Sequence, residues 1–296
     1  MWRKRTSEKP KRLRVGLALS GGAARGIAHV GVLKVLEEHN IRVDCIAGTS
    51  AGAVVAGAYA AGLSLADLED VGRKMRWRNM GRVTLSKLGI QHNERMGEFI
   101  RERFPVTRFE DLKMPLAVVA ADLRTGETVV LKDEGDLAFA IRASCALPGW
   151  YVPVTDEGGR QLVDGGLVAN VPTAAVRSLG ADVVIAVDVN AEGAKFMGAP
   201  QSLIGVLMQS MIVVHRTAAA RQLELADVVI RPKIGHIRWD EMGRADELIA
   251  AGEHAARACL EEIRFALEPP AEPPRKWLRR WQSEAANKSE KHLTSS

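Results

Sequence analysis

A serine stands at the centre of "GTSAG" (48–52), between the apolar run 43–48 and an uncharged stretch rich in alanine and glycine. A serine hydroxyl is a weak nucleophile until a base takes its proton. The G-x-S-x-G pattern meets the geometric half of that need. Small residues at Gly48 and Gly52 let a strand turn sharply into a helix and leave the hydroxyl exposed at the turn. Attack on an ester carbonyl then makes an oxyanion, which needs N–H donors already in place. A second run of small residues, "SGGAARG" (20–26), follows another apolar stretch and opens a helical pattern, so its successive N–H groups can form an anion-binding nest. Glycine there lets the backbone approach a reacting carbonyl with no Cβ in the way. Gly21, Gly22 and Ala23 are the candidate donors, and the N–H of Ala51, directly after the serine, is a further one.

The glycine-rich run taken alone also suits a nucleotide phosphate. Ala23 stands where G-x-G-x-x-G needs glycine, and no Gly-Lys-Ser/Thr follows. The base is less determined. Asp164, Asp188 and seven histidines are available. Asp164 precedes Gly165 and Gly166 at the end of an apolar stretch, where a carboxylate can approach another turn closely. Asp-Gly is equally a hairpin signal.

The elements that must hold these groups follow from the apolar pattern. Buried strands are expected at 15–20, 43–48, 182–190 and 226–232, with two more at 115–123 and 127–132 joined by Arg124-Thr125-Gly126. Helices are expected at 25–38, after Ser50, at 138–147, at 202–223 and over roughly 240–267. In the helix at 202–223, Leu203, Leu207, Met208, Met211 and Ile212 share one face, read as core. Residues 160–168 read as a short strand with a turn, and 67–111 as helical pieces and loops that cap the site. Strand and helix in alternation predict an α/β fold: a three-layer sandwich with a mainly parallel central sheet between helices.

Three separated motifs resemble the bacterial branch of the patatin-like phospholipases: "GGAARG" (21–26) followed by "AHVGVL", "GTSAG" (48–52), and "DGG" (164–166) followed by "LVANVP". The stretches "AADLRTGE" and "AIRASCALPGW" are similar to the family as well, so the likeness runs over about 14–235. The resemblance implies the patatin-like fold and a Ser–Asp dyad, with Ser50 as nucleophile and Asp164 as proton acceptor. The glycine-rich loop would supply the oxyanion hole, and Arg25, Gly26, Gly48, Gly52, Gly165 and Gly166 would support the motifs. It implies no metal and no cofactor, and a phospholipid or other acyl ester as substrate. Ala23 departs from the family, which usually has a third glycine there; alanine keeps the N–H, but a positive φ would cost more.

Charge is loaded at the ends. Residues 1–14 carry seven Lys/Arg against one Glu, residues 268–296 six against four Glu, and the remainder is net −3 of the total +5. The folded body therefore lacks a basic nucleic-acid face, and no nucleic-acid partner is expected. The expected domains are a basic arm (1–14), a hydrolase domain (15–267), and a Pro-rich linker with a basic tail bearing Trp277 and Trp281 (268–296). Arm and tail are candidates for peripheral contact with an anionic membrane surface, set against a reading as solvated tails. Residues 45–66 are uncharged and long enough to span a bilayer, but their Ala/Gly content favours a helix packed on a sheet; no transmembrane span is expected. Three scattered cysteines read as reduced thiols of a cytoplasmic protein. Two rivals remain open: a Ser-His-Asp triad of Ser50, Asp188 and His215, and a non-catalytic membrane-surface adaptor.

Overall fold

In the computed structural model, residues 12–192 and 199–268 are described. Most of the expected arm and nearly all of the linker and tail lie outside them. In chain order, β1 (Val15–Leu19) leads through a 3₁₀ turn, Ala23–Ile27, into α1 (Ala28–Glu38), and β2 (Cys45–Thr49) leads through Ser50 into α2 (Ala51–Ala61). A capping segment follows: α3 (Leu65–Lys74), the short strands β3 (Arg82–Val83) and β4 (Gly89–His92), and α4 (Glu94–Arg103). The chain then re-enters the body with β5 (Leu116–Asp122), β6 (Thr128–Lys132) and α5 (Leu137–Ser144). Next are β7 (Gly149–Tyr151), β8 (Val154–Thr155), β9 (Gln161–Asp164), α6 (Gly166–Ala169) and α7 (Thr173–Ser178). The last elements are β10 (Val183–Val187), α8 (Leu203–Leu223), β11 (Val228–Ile230), α9 (Ala245–Ala258) and α10 (Leu260–Ala266).

The main sheet runs β11-β10-β1-β2-β5-β9-β8, with β6 also on β5. The first five strands in that order are mutually parallel; β6, β8 and β9 join antiparallel. Parallel strands buried on both faces should be near-continuously apolar, and β1, β2, β5 and β10 are fully buried with only Thr49 and Asp122, at the ends of β2 and β5, polar. On one face Ala18, Cys45, Ala47, Ala117 and Val119 pack with Val171, Val176 and Ala219 from the α6–α8 region. The other face takes α2: a Cβ on Gly48, which alternates with Ala47, would meet the backbone of Ala53 at 2.5 Å. Helices therefore cover both faces, giving the expected three layers.

The edges of β5 set the position of the site. β6 occupies one edge from Ala117 to Ala121, so β2 and β9 must share the other. β2 takes it as far as Thr49↔Val119, and β9 takes over with Asp164↔Ala120. The residue after Thr49 is Ser50. The ladder itself thus delivers the carboxylate beside the serine.

Two expected helices differ in detail. The 240–267 helix is broken: a 3₁₀ turn at Met242–Arg244 precedes α9, and Cys259 separates α9 from α10. Apolar periodicity continues through the break because both pieces face the same body, which is why the pattern concealed it. The apolar face of α8 is core only in part. Met211 and Ile212 are buried, whereas Leu203 is 75% and Leu207 41% exposed.

Candidate active site

Ser50 turns β2 into α2 with φ 54° and ψ −124°, a backbone region that side chains enter only at a cost. Close approach leaves no alternative. A Cβ on Gly52 would run into the Leu19 carbonyl, and one on Gly26 would meet the Ala51 methyl at 2.5 Å. The turn is held from α5: Ser50 N–H donates to Ser144 Oγ at 2.8 Å, and that hydroxyl donates to the Val119 carbonyl at 2.6 Å. Since only glycine relaxes at positive φ, Ser50→Gly should exceed Ser50→Ala in stability by about 1 kcal/mol. Thermal unfolding of the two variants checks this; equal midpoints would mean that the elbow stores no strain.

Ser50 Oγ donates to Asp164 Oδ2 at 2.7 Å, and Gly166 N–H donates to Oδ1 at 2.8 Å. Gly165 is small because the chain passes against the Val119 carbonyl there. Asp164 is only 1% exposed. Burial pushes its carboxyl up to about 6, against the opposing pull of the two hydrogen bonds. Such a carboxylate holds a proton more readily than an exposed one and still ionises at neutral pH.

The glycine-rich loop corrects one expected donor. Gly21 N–H is already committed to the Asn170 carbonyl at 3.1 Å. Among the described residues no carbonyl or side chain accepts from the N–H of Gly22, Ala23 or Ala51. Ala23 has φ 51°, the left-handed conformation that the missing glycine would have favoured, at a cost of about 1 kcal/mol. Arg25 points away from this chamber. It is buried, with Nε donating to the Ile237 carbonyl at 2.7 Å and further contacts to Asn190 Oδ1 and the Gly235 carbonyl. Its place is to fasten the loop to the segment that carries Trp239, whose carbonyl accepts from Ala24 N–H at 2.9 Å.

Ser50 stands where two cavities meet. One is almost wholly apolar, with Ile27, Val54, Val55, Met96, Phe104 and Leu147 among its walls. The other is smaller and is bordered by Gly22, Ala23, Asp164, Asn190, His215 and Trp239. A tryptophan triad joins their rims: Trp77, Trp150 and Trp239 contact one another edge-to-face with centroids 5.6–6.2 Å apart.

The Ser50–Asp188–His215 triad is not assembled. Asp188 accepts from Asn190 N–H at 2.9 Å, and His215 Nε2 has no partner. His215 lies against Gly166, and burial pushes its ring down to about 4, so it is neutral near pH 7. His29 is likewise buried and neutral, donating from Nε2 to the Ser20 carbonyl at 2.8 Å. Two parts of the site carried no signal in sequence: His215 as a cavity wall and the tryptophan triad as a unit, whose members lie in distant stretches; Ser144 was visible only within "AIRASCALPGW". Asn170 was visible only as the centre of "LVANVP". No group of His, Cys, Asp and Glu among the described residues could hold a metal ion.

This geometry defines an α/β protein with a serine elbow and a carboxylate partner beneath a glycine-rich loop. The sequence matches the patatin-like phospholipase profile over residues 17–177, more than half its length, and the chain belongs to that family. An uncharacterised NTE family protein of Mycobacterium tuberculosis is 38% identical over 180 residues, covering 60% of this chain and 49% of its own. The lysophospholipase nte1 of Emericella nidulans is 34% identical over 181 residues, covering 59% and 12%. Among solved structures, VipD from Legionella pneumophila matches with a TM-score of 0.50 at 14% identity, covering 85% of this chain and 67% of that one, a likeness of fold. The chain spans about half the length or less of these curated relatives.

Proposed function

We propose that this protein is a lipid acyl hydrolase that cleaves phospholipid or lysophospholipid esters through a Ser50–Asp164 dyad. The observation that carries the reading is the 2.7 Å hydrogen bond from Ser50 Oγ, which lines an apolar cavity, to a buried carboxylate. The apolar cavity suits an acyl chain and the smaller one the alcohol side of the ester. A relative named as a lysophospholipase supports the substrate class.

In the proposed steps, Asp164 Oδ2 takes the Ser50 proton as Oγ bonds to the ester carbon. The N–H groups of Gly22, Ala23 and Ala51 receive the oxyanion. The carbon–oxygen bond to the alcohol breaks, and the departing oxygen takes the proton from Asp164. Water then attacks the acyl-serine, giving its proton to Asp164, which returns it to Ser50 Oγ as the fatty acid leaves. No histidine moves a proton.

The test is fluorophosphonate labelling together with hydrolysis of phospholipids, lysophospholipids and short-chain esters. Ser50→Ala should lose labelling and hydrolysis alike, whereas His215→Asn should retain hydrolysis within a few-fold. Loss of activity in His215→Asn with the fold intact would return the triad to consideration. Failure of wild type to label or turn over any ester would favour the adaptor.

A further inference from the structure

The capping segment carries a projection that the site itself does not use. β3 and β4 pair at Arg82↔His92 and Val83↔Gln91, and Thr84 N–H still donates to the Ile90 carbonyl at 3.0 Å, leaving 85–88 as the tip. Tips of this kind are ordinarily polar. Here Leu85 is fully exposed, Val83 is 74% exposed and Leu88 56%. Contiguous exposed aliphatic groups mark a surface that is covered in use.

The charges around the tip say what covers it. On the hairpin itself, Arg82 and Lys87 pair with no carboxylate among the described residues, whereas Arg73 and Lys74 on α3 are paired with Glu69 and Asp70. Exposed aliphatic side chains on a hairpin whose own Arg82 and Lys87 lack carboxylate partners fit a bilayer interface: the tip enters the acyl boundary while the long cationic side chains reach the phosphates. A second copy of the chain would bring like charges together, and a polyanion would leave the leucines in water.

The hairpin is built onto the wall of the catalytic cavity. β4 pairs with β7 at Gly89↔Gly149 and Gln91↔Tyr151. Met80, at the base of the hairpin, and Tyr151 both line the apolar cavity. Beside β7, the exposed start of α8 continues the apolar surface, with Leu207 Cδ1 3.4 Å from where a Cβ on Gly149 would lie.

We propose that the 82–92 hairpin is a membrane-docking element that inserts Leu85 and Leu88 into a bilayer containing anionic phospholipid, bringing the cavity wall to the lipid surface. This rests on the lipid-hydrolase reading for its purpose, and the experiment separates the two. Full-length protein is mixed with phosphatidylcholine–phosphatidylglycerol vesicles and, separately, assayed on a soluble short-chain ester. Leu85→Asp combined with Leu88→Asp should weaken vesicle binding about tenfold or more and leave soluble-ester hydrolysis unchanged. An environment-sensitive fluorophore on Leu85→Cys, in a Cys259→Ser background, should shift to the blue on vesicles and much less on pure phosphatidylcholine. No shift at position 85 overturns the proposal, including the case in which the basic ends alone hold the protein on the vesicle. So does a dimer in solution that the double Asp variant dissolves. Absence of soluble-ester hydrolysis in wild type would strike the hydrolase reading while leaving the docking result to stand by its own measurement.

Discussion

Asp164→Asn is expected to remove ester hydrolysis by about 10³–10⁴-fold while making the protein more stable at neutral pH. The two effects have one origin. The amide keeps the shape of the carboxylate and the acceptor for Gly166 N–H, but it cannot take the Ser50 proton. Its carboxylate counterpart is ionised at pH 7 in a site that desolvates it. A folded-state value of about 6 against an ordinary 3.8 favours the folded state fully below 3.8, and that contribution is lost as pH rises through 6. Above 6 the ionised carboxylate therefore costs about 3 kcal/mol relative to a neutral group of the same shape. Asp164→Asn should recover up to that amount at pH 7 and nothing near pH 3.5. Thermal unfolding at the two pH values measures it, and a variant less stable at pH 7 would contradict the desolvation argument. The same ionisation sets the rate: kcat/KM of wild type on a soluble ester should fall tenfold per unit below about pH 6, as the base becomes protonated.

Ala58→Leu is expected to shift ester selectivity toward short acyl chains. Ala51, Val54, Val55 and Ala58 all line the apolar cavity, and their spacing places them along one face of α2. From Ser50 to Ala58 the helix advances about 12 Å, so Ala58 borders the far part of a slot that starts at the nucleophile. A leucine there occupies the space of the last methylenes of a long acyl chain. At about 0.8 kcal/mol per buried methylene, excluding three or four costs about 3 kcal/mol, or about 100-fold in kcat/KM. Hydrolysis of a long-chain ester should drop by that factor, while a butyrate ester, which stops near Val54, should be hydrolysed at nearly the wild-type rate. An equal loss on both esters would place the acyl chain elsewhere.

Much of this was legible in the residues alone because it depends on local chemistry. The strands expected at 15–20, 43–48 and 182–190 declared themselves by the apolar runs at their centres, since a parallel strand covered on both faces has no polar side to show. Gly48 and Gly52 marked the elbow because any side chain there collides with the neighbouring turn. The likeness to the family pointed to Asp164 beside Ser50, but chain order could not have placed it there: 114 positions separate them. Only the shared edge of β5, with β2 stopping at Val119 and β9 resuming at Ala120, brings the two together.

What the tertiary structure alone decided has a common physical reason: it depends on where a group's partners are, which sequence neighbours do not reveal. Gly21 was a natural oxyanion donor until the Asn170 carbonyl took its N–H. Arg25, conspicuous in its motif, turned out to bind backbone carbonyls near residues 235–237. Periodicity marked Leu203 and Leu207 as core, yet a helical pattern says only that a face is apolar, not that another layer reaches it. Residue types determined that this chain would build a parallel sheet with a serine at a sharp turn; the strand ladder and the layers above it determined which groups meet that serine, because those contacts come from segments far apart in the chain.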